Sequence, residues 1–250
     1  MIDLNKTSMK VEAVSKGVAA RLDSWLIQKR RAEPRRDYLG ASAFGHECDR
    51  AIQYEYAGFP REREMTPDTL RKIAFGHLTE AWAYQEFRDA GFALGQHNRL
   101  GILYSFSQMG GKFKGHPDGV FVRGPEIEGV GYPCLWEHKG VGSKTYKMVA
   151  SKGLKKARPG YYTQLQLYMT YLELTDHPAI ITFTNLDTGE QMHLPIPYDA
   201  EAAQKGSDRA VKIIKATEAE ELLPRAFANS DHFICKGMCD FAGRCWKRGS

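Results

Sequence analysis

Two carboxylates and one ammonium lie close together near the middle of the chain. Gly115-His116-Pro117-Asp118-Gly119 is followed, 19 residues after the aspartate, by Glu137-His138-Lys139. Side chains alternate along a strand, so Glu137 and Lys139 point to one face. Asp118 sits at a Gly/Pro-flanked bend inside a strand-like run from Phe113 to Val122. A hairpin or meander would bring its carboxylate beside Glu137. Carboxylates and an ammonium that converge suit a hard divalent cation, magnesium or manganese, together with an anionic substrate. Cleavage of a phosphodiester is the chemistry such a set serves. Parity puts the His138 side chain on the opposite face, where it packs, whereas His116 shares the parity of Asp118. A surface turn followed by an exposed strand pair is the plainer alternative for the same residues.

Two helices carry further candidates. Gln164-x-x-x-Tyr168 follows Lys139 by about 25 residues, on a helix expected over 161–174 after a stop at Pro159-Gly160. The i, i+4 spacing puts Gln164 and Tyr168 on one face, and Tyr161 and Tyr171 extend the stripe. An amide and phenols can hold phosphates or stack on bases; an aromatic core helix is the alternative. Upstream, Ile73, His77, Glu80 and Tyr84 share one face of a helix expected over 66–90. Glu80 is therefore expected to interrupt a buried stripe, a position that a metal ion would relieve. His77 and Glu80 both stay open as the ligand, and the oxygen of Glu80 suits magnesium better.

The cysteines form a second constellation. Cys48 stands alone, and Cys235, Cys239 and Cys245 follow at C-x3-C-x5-C spacing. Cys134, in the strand leading to Glu137, reads as a small core residue. An odd count of five and no charged-then-apolar leader argue against disulfides. Three soft donors within eleven residues look like metal ligation, by iron–sulfur or by zinc.

Taken together, Pro117-Asp118, Glu137-x-Lys139 and Gln164-x-x-x-Tyr168 resemble the PD-(D/E)XK nuclease superfamily, in its RecB-like branch. Cys48 with the triplet, and Ser42, Arg50 and Tyr54 around Cys48, resemble the iron–sulfur exonucleases of that branch, such as the CRISPR-associated ones and the AddB nuclease domain. The Cys235–Cys239 step is wider than the usual one. The resemblance implies a metal-dependent deoxyribonuclease, an exonuclease on single-stranded ends, acting in recombination, repair, phage replication or CRISPR adaptation. It implies Mg2+ or Mn2+ on Asp118 and Glu137, with Glu80 and the His138 carbonyl. Lys139 would serve the attacking water or the developing charge, and Gln164 and Tyr168 would hold the strand. It further implies a [4Fe–4S] cluster on Cys48, Cys235, Cys239 and Cys245, DNA as partner, and a helicase or recombination protein as a possible second partner. An inactive DNA-binding module of the same fold and a four-cysteine zinc scaffold are the alternatives.

The elements that must position these residues follow from pattern and composition. At 250 residues and 42% hydrophobic, the chain can bury a full core as a single domain over 1–250, with the nuclease core about 66–198. No run of 18 apolar residues occurs, so neither a membrane span nor export is expected, and the setting is intracellular. The net charge is only +5, but Lys144, Lys147, Lys152, Lys155, Lys156 and Arg158 cluster between Glu-x-Lys and the Gln164 helix, where they can track phosphates. Lys29, Arg30, Arg31, Arg35 and Arg36 read as a solvated face. Helices are expected at Met9–Arg30, Glu47–Ala57, 66–90, 143–153, 161–174 and 199–223. Strands are expected at 99–106, 112–123, 132–140, 179–186 and 190–196. There is no P-loop motif and hence no motor. This order predicts an α/β fold, a mixed central sheet flanked by helices, with the cysteine motif at its C-terminal end.

Overall fold

The computed structural model describes residues 8–247, with side chains from residue 11. The chain divides into two compact units: Met1–Arg35 with Arg63–Ala74, and Arg36–Glu62 with Phe75–Ser250. The first contains helix α1 (Ser8–Ala32) and the opening turns of α3 (Pro67–Asp89). Its two pieces are joined by ion pairs, Arg71 with Asp23 and Arg31 with Glu64. The expected helix start holds: the Thr66 hydroxyl accepts from the Thr69 N–H at 3.2 Å, and Pro67 opens the first turn.

The second unit is built on a five-stranded sheet in the order β2 (Ala93–Gly95), β5 (Gly119–Arg123), β6 (Cys134–Val141), β7 (Ala179–Asn185) and β8 (Gln191–Ile196). Within this sheet, among the described residues, only the β6–β7 pair is parallel. That pair requires a crossover, which α4 (Ser143–Lys152), α5 (Leu154–Ala157) and α6 (Pro159–Tyr171) supply. All seven residues of β7 are buried, as a central strand covered on both faces demands. Leu165, Leu167 and Met169 of α6 are fully buried, and Ala203, Ala210, Ile213 and Ile214 of α7 (Ala200–Glu218) line the same core. A smaller sheet joins β1 (Leu39–Gly40), β4 (Phe113–Gly115) and β3 (Phe106–Gln108). Among the described residues, no helix is long and apolar enough to cross a membrane.

The α/β class with mixed sheets is therefore as expected, but several elements differ. The run expected as one strand over 112–123 is two strands in two sheets, β4 and β5. Pro117 has no N–H to donate to a ladder, and the chain changes sheet there. The segment expected as a strand over 99–106 is mostly a turn, because the Asn98 side chain accepts from Leu100 N at 2.9 Å and Ile102 N at 3.0 Å. Strand β2, three residues long, is too short to show alternation in the sequence. Pro159 does not stop a helix; it is the first residue of α6, where its missing N–H is harmless.

The buried stripe expected on α3 does not form. Ile73 is 44% exposed, and Ala83 is the helix's buried residue. Small residues replace the stripe. A Cβ built on Gly140 of β6 would lie 2.9 Å from the Thr79 hydroxyl and 3.4 Å from Gly76 Cα, so helix and strand approach through glycine.

Behind this core, residues 234–238 form a π-turn and Ala242–Trp246 a short helix, α8. Both lie beside α2 (Asp49–Ala57), of which Cys48 is the N-cap. The Glu62 carboxylate accepts from Gly243 N at 2.8 Å and Arg244 N at 2.5 Å, and Arg225 donates to the Cys245 carbonyl at 2.6 Å. These bonds fasten the last turns of the chain to the segment just after α2.

Candidate active site and cysteine cavity

The register of β5 and β6 places Gly119 opposite Trp136, so Asp118 falls opposite Glu137. Three hydrogen bonds then join the motif. His138 N donates to Asp118 Oδ2 at 2.7 Å, Asp118 N to Glu137 Oε2 at 3.4 Å, and Lys139 Nζ to Glu137 Oε1 at 2.6 Å. Helix α6 completes the cluster. Gln164 Nε2 donates to Glu137 Oε1 at 3.1 Å and lies 2.9 Å from the Tyr168 hydroxyl. Lys139 also stands 5.4 Å over the Tyr161 ring. A glycine makes room for this arrangement: a Cβ on Gly115 would come within 2.5 Å of the Tyr168 ring.

The electrostatics follow from burial. Glu137 is 2% exposed; burial, then the neighbouring Asp118, pushes its carboxyl up to about 8, with Lys139 pulling the other way. Burial also raises Asp118, against Lys139 and the His138 N–H. Glu80 is raised by burial and next by Asp118, which places it electrostatically in the same cluster. Burial disfavours charge on Lys139, but Glu137 and Asp118 outweigh it and raise its pKa. Three carboxyl groups thus share a site with one cation, and a divalent ion would relieve their mutual repulsion. The oxygen donors of Glu80, Asp118 and Glu137 fit such an ion in kind. Among the described residues, however, no three His, Cys, Asp or Glu side chains close into a ready-made metal cage.

Other expected residues fall as follows. His77 is outward, its side chain 76% exposed and 3.7 Å from Glu80, so Glu80 is the inward member of that pair. The His138 ring packs as expected, 2.9 Å from the Thr184 hydroxyl; burial brings it down to about 4 and keeps it neutral. His116 is exposed and outside the cluster. Gln164 and Tyr168 are buried and turned onto Glu137, rather than laid out to hold a strand. Sequence reasoning missed Gln96, whose amide donates to the Asp118 carbonyl at 3.4 Å. Its place depends on the pairing of β2 with β5, for which the sequence carries no local signal.

In the basic segment, Lys144, Lys147, Lys152 and Lys156 are exposed. Lys155 is engaged with Asp199 at 2.7 Å, and Arg158 donates to the Thr145 hydroxyl at 2.6 Å. Those two are anchors in the fold as well as positive charges.

The second site is a small cavity lined by Cys48, Cys235, Cys239 and Cys245 with Tyr54 and Trp246 among its walls. All four cysteines are buried, and none of the five in the chain is in a disulfide. The Cys239 thiol is raised by burial, its closeness to the other three adding a smaller push. Cys134 lies elsewhere, fully buried in β6, with burial pushing its thiol up to about 11. The donor set is all sulfur and enclosed, which fits an iron–sulfur cluster or zinc in kind. The sulfurs line a space and do not close on one point.

No protein-family model matches this chain, and no curated protein does. Among solved structures it is similar to an alkaline exonuclease (LHK-Exo) from Laribacter hongkongensis, at 16% identity over 74% of this chain and 90% of that one, with a TM-score of 0.51. The same exonuclease in complex with dAMP matches at 15% identity over 74% and 90%, with a TM-score of 0.49. A structure described as SSO0001 matches at 15% identity over 90% and 94%, with a TM-score of 0.48. The first of these likenesses establishes a shared fold and nothing finer.

Proposed function

We propose that this chain is a metal-dependent deoxyribonuclease, an exonuclease acting on single-stranded ends, with a [4Fe–4S] cluster in the cysteine cavity. One observation carries the catalytic part. Asp118, Glu137, Lys139, Gln164 and Tyr168, drawn from three separate segments, meet in one buried hydrogen-bonded cluster beside Glu80. A fold has little structural reason to gather one buried and two half-buried carboxyl groups around one lysine, and perturbed titration of this kind gathers at functional sites. The fold shared with an alkaline exonuclease agrees with the reading.

Asp118, Glu137 and Glu80, with the His138 carbonyl, would hold Mg2+ or Mn2+, which when bound activates water and neutralises phosphate charge. In hydrolysis, a water oxygen bonds to phosphorus and gives up a proton to a base or to solvent, while the phosphorus–oxygen ester bond breaks and the departing oxygen takes up a proton to leave as a hydroxyl. Lys139 supplies a positive charge for the charge that grows on the phosphoryl oxygens. Gln164 fixes the Glu137 carboxylate, and Tyr168 fixes Gln164. The exposed lysines of α4 and α5 lead DNA toward the cluster. The iron–sulfur centre would be structural, joining Cys48 to the far end of the chain, and a helicase or recombination protein would present the ends. An intracellular setting goes with this reading.

The test is cleavage of end-labelled single- and double-stranded DNA, linear and circular, with Mg2+, Mn2+ or a chelator. Metal-dependent loss of label from linear single strands, abolished in Asp118→Ala, is expected. Binding without cleavage under every metal condition would leave a DNA-binding module of the same fold.

A further inference from the structure

Resting on the cluster reading of the cysteine cavity, we infer that Tyr54 and Trp246 donate hydrogen bonds to acceptors that the cofactor itself brings, the bridging sulfides of an iron–sulfur cluster, and so set its reduction potential.

Among the described residues, three buried side-chain nitrogen or oxygen atoms have no hydrogen-bond partner: Tyr54 Oη, Trp246 Nε1 and Arg158 Nε. Two of the three belong to residues that line the cysteine cavity. Buried donors are seldom left unpaired, and an orphan marks a missing partner or a functional constraint. Among the described residues neither donor reaches an acceptor; the Arg50 guanidinium beside the Tyr54 oxygen is itself a donor. The partner therefore has to arrive with whatever fills the space.

That requirement separates the two candidate occupants. A single zinc ion has its coordination filled by four thiolates and adds no acceptor atom. A cubane cluster brings sulfides that accept hydrogen bonds and carry negative charge.

Both donors are held in place by the protein alone. Tyr54 is 2% exposed, wedged between the rings of Phe59 at 5.3 Å and Phe241 at 5.6 Å. The Trp246 ring lies under the Arg225 guanidinium at 4.6 Å, and Arg225 itself grips the Cys245 carbonyl. Arg50, fixed on the Leu223 carbonyl, adds a guanidinium nitrogen 4.0 Å from Cys245 Sγ. This wall thus offers O–H, N–H and positive charge to an anionic sulfur centre. Hydrogen bonds to cluster sulfur favour the reduced, more negative state and raise the potential.

The experiment uses anaerobically purified full-length protein: wild type, Tyr54→Phe and Trp246→Phe. Iron and sulfide analysis comes first, because a wild type without both would overturn the cluster reading itself. With iron present, each variant is expected to keep its iron and sulfide while its potential falls. A tenfold change in the one-electron equilibrium corresponds to about 59 mV. Iron-loaded variants whose potentials match wild type would overturn the inference and leave the cluster reading standing. If a variant loses its iron, the wild-type cluster in D2O decides. Exchangeable deuterons coupled to the reduced cluster are expected from both side chains, and their absence would overturn the inference.

Discussion

His138 and Asp118 are joined by a 2.7 Å hydrogen bond from backbone N–H to carboxylate, so the strand that displays Glu137 and Lys139 also holds Asp118 in place. Geometry at the candidate site is thereby independent of the His138 side chain, which points the other way onto Thr184. Replacing His138 by an apolar residue should disturb packing more than chemistry.

Lys139 is the group whose loss should be most selective. Lys139→Ala is expected to lower cleavage by roughly 10²–10³-fold, the usual worth of one preorganised electrostatic contact. DNA binding at low salt should change little, because other lysines face solvent. Wild-type turnover by the purified variant would remove Lys139 from the mechanism.

Glu137 should leave a mark on stability against pH in metal-stripped protein. Its folded pKa, about 8, lies above the ordinary 4.5, so its contribution is present at low pH and is lost as pH rises from 4.5 to 8. His138 acts oppositely: its folded value, about 4, lies below 6.5, so its contribution is present above 6.5 and is lost as pH falls toward 4. The two slopes cancel between about 4.5 and 6.5, and of these two groups only Glu137 acts above that, by at most about 1.4 kcal/mol per pH unit. Glu137→Gln should abolish the fall above pH 6.5, as read by denaturant midpoints. A parallel pair of curves would show that Glu137 is charged throughout.

Gly115→Ala tests the packing that seats Tyr168. The added methyl would meet Phe106 at 2.4 Å and Tyr168 at 2.5 Å, so overpacking of about 1–3 kcal/mol is expected. Activity should drop further than the folded fraction does, since Tyr168 supports Gln164 and hence Glu137. A variant as stable and as active as wild type would mean that the two strands separate readily here.

Salt dependence tests the basic segment. Neutralising Lys144, Lys152 and Lys156 together should reduce the log–log slope of single-strand binding by about 2, at roughly 0.7 per phosphate contact. Lys155→Ala should cost stability more than slope, because its ammonium bonds Asp199 at the start of α7. An unchanged slope in the triple variant would make this run a solvated face.

Cys48→Ala should remove iron and lower the melting temperature, whereas Cys134→Ser should retain the metal. Cys48 and Cys235 are 187 residues apart, and cross-linking so long a loop is worth up to about 5 kcal/mol by chain entropy. An iron-replete Cys48→Ala protein would show that another residue completes the set.

The sequence alone was sufficient wherever the signal was local. Strand alternation put Glu137 and Lys139 on one face, i, i+4 spacing joined Gln164 to Tyr168, and Thr66-Pro67 marked the start of α3. Each depends only on the geometry of one element. Long-range pairing decided the rest. Asp118 meets Glu137 because Gly119 pairs with Trp136 and because Pro117 ends one ladder before Gly119 begins another. Gln164 turns onto a carboxylate, and Gln96 reaches the Asp118 carbonyl, only because of where α6 and β2 come to rest. The sequence suggested a buried apolar stripe on α3. The fold instead packs that helix through Gly140, Gly76 and Thr79, since close approach of backbones required small residues there. Spacing could suggest that Cys48 belongs with the C-terminal triplet. Only the tertiary structure brought them to one cavity and left the donors of Tyr54 and Trp246 without acceptors beside it, because burial and partner supply are properties of the packed chain and not of any segment of it.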